Sequence, residues 1–367
     1  MPRPGLGVCY TCIVSEVKTR IIHLDGGQER KDAQNTGTLV VVYDQALEPG
    51  SFRSLFARNY ATIRRTCTRF NHPGVAIFAV DAYGGRMVGS LCVAAKVGVA
   101  NSAIIGRHGM TDLFLDGDSS LSLRHLAVVL SPLASSDEVR FRIIDLRTRS
   151  AFQDENGRRF ESLVAEGPLF VRCGSYMLFF IVTGDRIAWP DSAEDGWACI
   201  PERVYLEAGE AEPDRWLRKR RVPKMRAHPA RSDVRNAITL VESAPGPVRA
   251  QARLVAPGEE PLGSLRITSQ AGLQKLVIGP RAARGGILLG RYSRCDVDGS
   301  QLLIDESISR VHLLLLSVNE QLYAIDTAST HGTWIRAEDR EIRIIPLEIG
   351  QELSLGEDLV QLRWTAA

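Results

Sequence analysis

Along most of the chain apolar residues fall in short runs broken by Gly, Pro and charged positions, the pattern of strands joined by turns. One segment departs from it. In residues 52–70, Leu55, Phe56, Tyr60, Ile63 and Cys67 recur at helical spacing behind the start signal Pro49-Gly50-Ser51, and a β-branched run at 38–43 precedes them. A strand followed by a helix is predicted there. From residue 75 short strands take over, at 75–80, 87–95 and 103–106 with a turn at Tyr83-Gly84-Gly85, and they continue to Gly184. The runs 287–289, 313–318 and 322–325 have the same character.

These runs repeat. Ile104-Ile105-Gly106-Arg107 returns as Leu288-Leu289-Gly290-Arg291, Leu121-Ser122-Leu123-Arg124-His125 as Ile308-Ser309-Arg310-Val311-His312, and Ile143-Ile144-Asp145 as Ala324-Ile325-Asp326. The order is the same and the offset nearly constant, so the chain reads as two copies of one all-β unit. The expected organisation is a strand-helix extension at 1–74, a first copy at 75–184, a linker at 185–255 and a second copy at 256–367. The linker has acidic patches at 191–195 and 207–214 and a basic run at 215–235 punctuated by Pro223 and Pro229. It reads as a solvated tether, with Trp216 able to pin it to a sheet.

At 367 residues, two or three domains are expected. The net charge of +2 exerts no overall pull on nucleic acid or membrane. Five arginines on the predicted helix (Arg53, Arg58, Arg64, Arg65 and Arg69) read as a solvated face, because only Tyr60 and Phe70 offer rings for stacking bases. No apolar run approaches the roughly 18 residues of a membrane span, Met1 is not followed by a signal-peptide pattern, and seven scattered cysteines make no disulfide framework. A cytoplasmic protein is expected. Cys9-x-x-Cys12 lacks a second ligand pair, so no metal site is predicted. The chain has no phosphate-cradling Gly-rich loop, His cluster or nucleophile elbow, so neither an enzyme nor a cofactor is expected.

The promising chemistry lies in three loops at strand ends. Gly290-Arg291 ends one run, Ser309-Arg310-Val311-His312 opens the next, and Asp326-Thr327-Ala328-Ser329-Thr330-His331-Gly332-Thr333 closes a third. An Arg fork and a Ser hydroxyl brought to one rim can grip a phosphate. In order and spacing these motifs resemble the Gly-Arg, Ser-x-x-His and Asp-x-x-Ser-x-Asn-Gly-Thr pattern of the forkhead-associated (FHA) domain, a phosphothreonine-peptide-binding β-sandwich, over roughly 256–367. The resemblance implies a mainly β fold of two FHA-like antiparallel sandwiches. It also implies that Arg291 and Ser309 hold phosphate, that Arg310 adds charge beside them, and that Thr330 and His331 read the peptide. Gly290, His312 and Gly332 become structural supports. His331 replaces the family's Asn; its donor and acceptor have different geometry, and its protonation would add a cation, which predicts tighter binding on mild acidification.

The first copy keeps the phosphate pair, Arg107 and Ser122, with Gly106 and His125 as supports. Arg124, Arg147 and Arg149 read as an anion-binding rim around a second candidate phosphopeptide site. Its third loop departs from the pattern: Ser150, Ala151 and Phe152 stand where Asn, Gly and Thr belong, and Ala151 would be strained if that position needs positive φ. The expected function is a phosphothreonine-dependent adaptor in Ser/Thr-kinase signalling, acting mainly through the second copy. Its expected partner is a phosphothreonine-containing protein or a Ser/Thr kinase, with neither membrane nor nucleic acid involved. The alternative is a phosphate-independent scaffold built on the same sandwiches.

Overall fold

The computed structural model describes residues 48–133, 138–184, 189–206, 238–244, 246, 254–296 and 302–367. The expected strand at 38–43, the pair Cys9 and Cys12, the basic run at 215–235 and Trp216 lie outside these residues.

Helix α1 (Phe52–Arg69) forms where the helical spacing predicts it. Ser51 caps it, its hydroxyl accepting from Ser54 N at 3.2 Å. The buried stripe Leu55, Phe56, Tyr60, Ile63 and Cys67 packs on one face of a sheet, against Phe78, Phe179 and Ile181. Two of the basic residues are engaged: Arg58 donates to Gly84 O at 2.9 Å and Arg64 pairs with Asp191 at 2.7 Å.

The first sandwich follows as β1 (Gly74–Asp81), β2 (Met87–Ala94), β3 (Asn101–Gly106), β4 (Leu113–Phe114), β5 (Leu126–Leu130), β6 (Phe141–Asp145), β7 (Phe152–Gln153), β8 (Arg159–Phe160), β9 (Ser162–Ala165), β10 (Leu169–Cys173) and β11 (Tyr176–Thr183). One sheet runs β2-β1-β11-β10-β7-β8 and the other contains β9-β6-β5-β3-β4. The stretch read as a linker departs from that expectation. Helix α2 (Ala193–Ala198) packs on α1, and β12 (Glu202–Leu206) and β13 (Ile238–Ser243) extend the second sheet, β13 pairing antiparallel with β9. Val241 and Tyr205 join the sandwich core, so the otherwise open edge at β9 is covered.

The second sandwich comprises β14 (Gly263–Ser269), β15 (Gly272–Ile278), α3 (Pro280–Gly285), β16 (Ile287–Leu289), β17 (Leu313–Val318), β18 (Gln321–Asp326), β19 (Thr333–Ile335), β20 (Arg340–Ile342), β21 (Ile344–Pro346), β22 (Glu352–Leu355) and β23 (Val360–Thr365). Its sheets run β15-β14-β23-β22-β19-β20 and β16-β17-β18-β21. Strand for strand this reproduces β2-β1-β11-β10-β7-β8 and β3-β5-β6-β9, so the repeat read from three motifs extends through the whole topology.

The two sandwiches share a core. Along β5, Leu126, Val128 and Leu130 point into the first sandwich, while Ala127 and Val129 point outward. Along β17, Leu313 and Leu315 point into the second, while Leu314, Leu316 and Val318 point out. The outward sets form one buried apolar cluster, with Ile104 and Ile144 on one side and Leu288 and Ile325 on the other. The sheets therefore pack face to face, each buried on both faces. At the margin Arg147 forms a 2.6 Å ion pair with Asp296 and donates to Arg294 O at 2.5 Å. The Arg147 and Asp296 side chains are 9% and 2% exposed. Burial pushes the Asp296 carboxyl up to about 6 and Arg147 opposes that shift. Replacing Arg147 by Ala leaves a buried carboxylate unpaired and should cost about 3–5 kcal/mol. Urea unfolding at neutral pH measures this, and a loss below about 1 kcal/mol would contradict the buried pair.

Candidate functional site

In the second sandwich the three sequence motifs meet at one end of the β16-β17-β18 sheet. Gly290 is required by close approach: a Cβ there would lie 2.3 Å from Arg310 O. The approach lets Arg291 N donate to Ser309 O at 3.2 Å and Tyr292 N to Arg310 O at 3.0 Å. His312, fully buried, ties the loops together. Its Nδ1 accepts from Ser309 N at 3.0 Å, which leaves Nε2 as the protonated nitrogen, donating to Gly332 O at 3.0 Å. Burial holds this imidazole below its usual pKa, as a neutral brace requires. Asp326 closes the third loop, accepting from Ser329 N at 2.7 Å, Ser329 Oγ at 2.6 Å and Thr333 Oγ1 at 2.7 Å. Ala328 (φ 60°) and Gly332 (φ 72°) supply the left-handed turns.

This bracing presents a small rim. Arg291 is exposed and makes no side-chain hydrogen bond or ion pair among the described residues. Ser309 Oγ accepts from Thr330 N at 3.0 Å and approaches Thr330 Oγ1 at 3.4 Å. Thr330 and His331 are exposed, and His331 Nδ1 is 3.4 Å from Glu357 Oε1, so an acid stands beside the residue that replaces Asn. Arg310 is exposed, with its carbonyl occupied by Tyr292 N and Cys295 Sγ. Asp305 joins this rim without having been signalled by any motif. Hydrogen bonds from Ser307, then the charge of Arg291 and the His331 ring, hold its carboxyl below the usual range.

Arg124 departs from expectation. It does not line the first copy's loops; its guanidinium crosses into the second sandwich, where Nε and Nη2 donate to Ala328 O at 2.8 and 2.5 Å. Nη2 also reaches Ser309 Oγ at 3.2 Å and Thr330 Oγ1 at 3.5 Å. Arg147 is likewise spent on the second sandwich. Of the three arginines expected to rim the first site, only Arg149 remains exposed there.

The first copy keeps the bracing but not the loop. Gly106 again allows close approach, a Cβ there lying 2.3 Å from Leu123 O, and Arg107 N donates to Ser122 O at 3.1 Å. His125 Nδ1 accepts from Ser122 N at 3.0 Å and Nε2 lies 3.1 Å from Ser150 O. Ser150 O therefore takes the place of Gly332 O as the acceptor, while the two loops keep the same length, with six residues between Asp145 and Phe152 and six between Asp326 and Thr333. The left-handed residue is Arg147 (φ 55°), matching Ala328; Ala151 has no positive φ, so the anticipated strain there does not arise. Arg107 is folded back, its Nε donating to Leu121 O at 3.1 Å.

The two antiparallel sandwiches are β modules of one architecture, and one of them presents an arginine and a serine on braced apical loops. Residues 287–356 match the model of the FHA domain, so the second sandwich is an FHA domain and the first is its FHA-like duplicate. An FHA domain is a binding module rather than a catalytic domain. The chain is similar to the FHA domain-containing protein PS1 of Arabidopsis thaliana, 33% identical over 87 residues, which are 21% of this chain and 5% of the relative. The matched region is thus a small part of that protein. The solved FHA-1 domain of Mycobacterium tuberculosis Rv1747 is 22% identical and covers 29% of this chain and 99% of its own, with a TM-score of 0.23. The FHA domain of CT664 from Chlamydia trachomatis is 20% identical over 28% of this chain and 96% of its own, at 0.24.

The brace makes a testable statement about protonation. Burial pushes the His125 imidazole down to about 4, against about 6.5 for a free histidine. Its contribution to stability is therefore complete above about pH 6.5 and declines by about 1.4 kcal/mol per unit as pH falls toward 4. Asp145, 3.9 Å away and pushed up to about 6 by burial, contributes with the opposite sign, losing its share as pH rises through 6. The ring itself is thus the better reporter. Its imidazole ¹⁵N shifts should stay those of the neutral form down to pH 5, and titration near 6.5 would remove the buried brace.

Proposed function

We propose that the chain is a non-enzymatic adaptor that recognises phosphothreonine in a partner protein, through the C-terminal FHA domain. The observation that carries this reading is the conjunction at one rim of an exposed Arg291, with no side-chain hydrogen bond or ion pair among the described residues, and a Ser309 hydroxyl pinned by Thr330 N. A phosphothreonine brings about 1.5 to 2 negative charges and three acceptor oxygens. Arg291 offers a fork of donors, Ser309 one more, and the exposed Thr330 and His331 stand beside them for the peptide. The partner is a phosphothreonine-containing protein or a Ser/Thr kinase, met in the cytoplasm. The first copy plays a lesser role in ligand capture, because Arg107 is folded back and Arg124 and Arg147 are engaged elsewhere. Among the described residues no helix is long and apolar enough to cross a membrane.

Arg291→Ala tests the reading against the phosphate-independent scaffold. Charge-assisted hydrogen bonds to phosphate are worth about 1.5–3 kcal/mol each, so affinity for a degenerate phosphothreonine peptide pool should fall roughly ten- to a hundredfold. Fluorescence anisotropy reads this directly, with the unphosphorylated pool as reference. Equal binding of both pools, or no loss in the variant, would instead favour the scaffold.

A further inference from the structure

Arg124 is the one buried guanidinium at the phosphate rim, and it comes from the other sandwich. Only 6% of it is exposed. Among the described residues its hydrogen-bond acceptors are all neutral: Ala328 O, Ser309 Oγ and Thr330 Oγ1. Among the described residues it forms no ion pair with a carboxylate. A buried cation held by neutral acceptors is ordinarily costly, and an anion arriving beside it would relieve that cost. Asp326, the acid whose charge acts on Arg124, has its oxygens occupied by Ser329 and Thr333.

The Ser309 hydroxyl is fixed by its neighbours. An oxygen of this kind has two lone pairs and one proton. Thr330 N donates to it at 3.0 Å and Arg124 Nη2 at 3.2 Å, so both lone pairs are taken. The proton is then free only to donate. Its sole acceptor among the described residues is Thr330 Oγ1 at 3.4 Å, longer than a good O–H···O bond. A phosphate oxygen at normal distance would displace it.

The arrangement is also one-sided. The duplicate position of Arg124 in the second copy is Val311, whose side chain joins the shared apolar cluster. The second copy therefore sends no matching arginine to Ser122, and only one of the two sites receives help from its neighbour.

We propose that Arg124 of the first sandwich is a positioning residue for the phosphate site of the second, fixing the Ser309 hydroxyl as a donor and placing a buried positive charge behind the phosphate. This rests on the phosphopeptide reading of that site. It gives the first sandwich a function that does not require a ligand of its own: it completes the FHA domain next to it.

The test uses the full chain, a degenerate phosphothreonine peptide pool and the unphosphorylated pool. Arg124→Gln should weaken phosphopeptide binding about tenfold or more, Arg124→Lys should recover part of the loss by restoring the charge, and the unphosphorylated pool should show no change. Arg147→Gln, which disturbs the same interface through Arg294 and Asp296, serves as control and should retain binding. Equal losses in Arg124→Gln and Arg147→Gln would mean that only docking matters, and would overturn the proposal. Undiminished binding by Arg124→Gln overturns it too, while leaving the phosphopeptide function standing. If the unmodified protein binds neither pool, the phosphopeptide reading fails and this inference with it. Should Arg124→Gln not fold, the Arg124 Nε–H signal of the unmodified protein, assigned by its absence in Arg124→Lys, decides: it should shift when free phosphothreonine is added, and a static signal refutes the proposal.

Discussion

The packing of one sandwich's sheet on the other's is the constraint on which the arrangement of the site depends. β5 and β17 are apolar on both faces, and a strand of that kind is stable only between two layers. Ala127 and Val129 on one side and Leu314 and Leu316 on the other leave water only when the two units are together. Each such side chain is worth about 1.5–3 kcal/mol on full burial. The resulting order of layers is α1, sheet, sheet, sheet, sheet, with an apolar core between each neighbouring pair. Because the contact involves the sheet that carries the recognition loops, side chains at its margin reach those loops.

A duplicated domain commonly keeps two copies of a site. The two sandwiches here share their bracing and differ at the rim. Both copies retain the glycine that admits a close turn and the histidine that braces three loops through one tautomer. What separates them is the polar groups at the rim. One copy leaves its arginine exposed; the other folds Arg107 back and turns Arg124 and Arg147 toward its neighbour. The bracing is a folding requirement that each sandwich must meet by itself, whereas the rim is free to change once ligand binding is not demanded of it.

Much of this was legible in the residues. The cap at Ser51 and the stripe from Leu55 to Cys67 announce α1, and the three motifs with Gly290, Ser309 and Asp326 announce the FHA domain, because local turn chemistry and periodicity are written in adjacent residues. The tether reading of 185–255 missed β12 and β13, since acidic patches outweighed the strand-like Val204-Tyr205 and Leu240-Val241, and edge pairing is a long-range event. In the first copy the loop from Asp145 to Phe152 has the length that the motif spacing implies, but that Ser150 O is the partner of His125 is a contact that spacing does not show. The destination of Arg124 was not legible from spacing within one copy. One sign was available: Leu313-Leu314-Leu315-Leu316 does not alternate, and such a run argues for a partner on both faces.

The most direct measurement is a crystal structure of the full chain with a phosphothreonine peptide bound. Phosphate oxygens are expected on the Arg291 guanidinium and the Ser309 hydroxyl, with Arg124 Nη2 still within hydrogen-bond distance of Ser309 Oγ and the two sheets still packed. A phosphate bound away from Arg291 and Ser309, or an Arg124 side chain withdrawn from Ser309 in the complex, would contradict this arrangement.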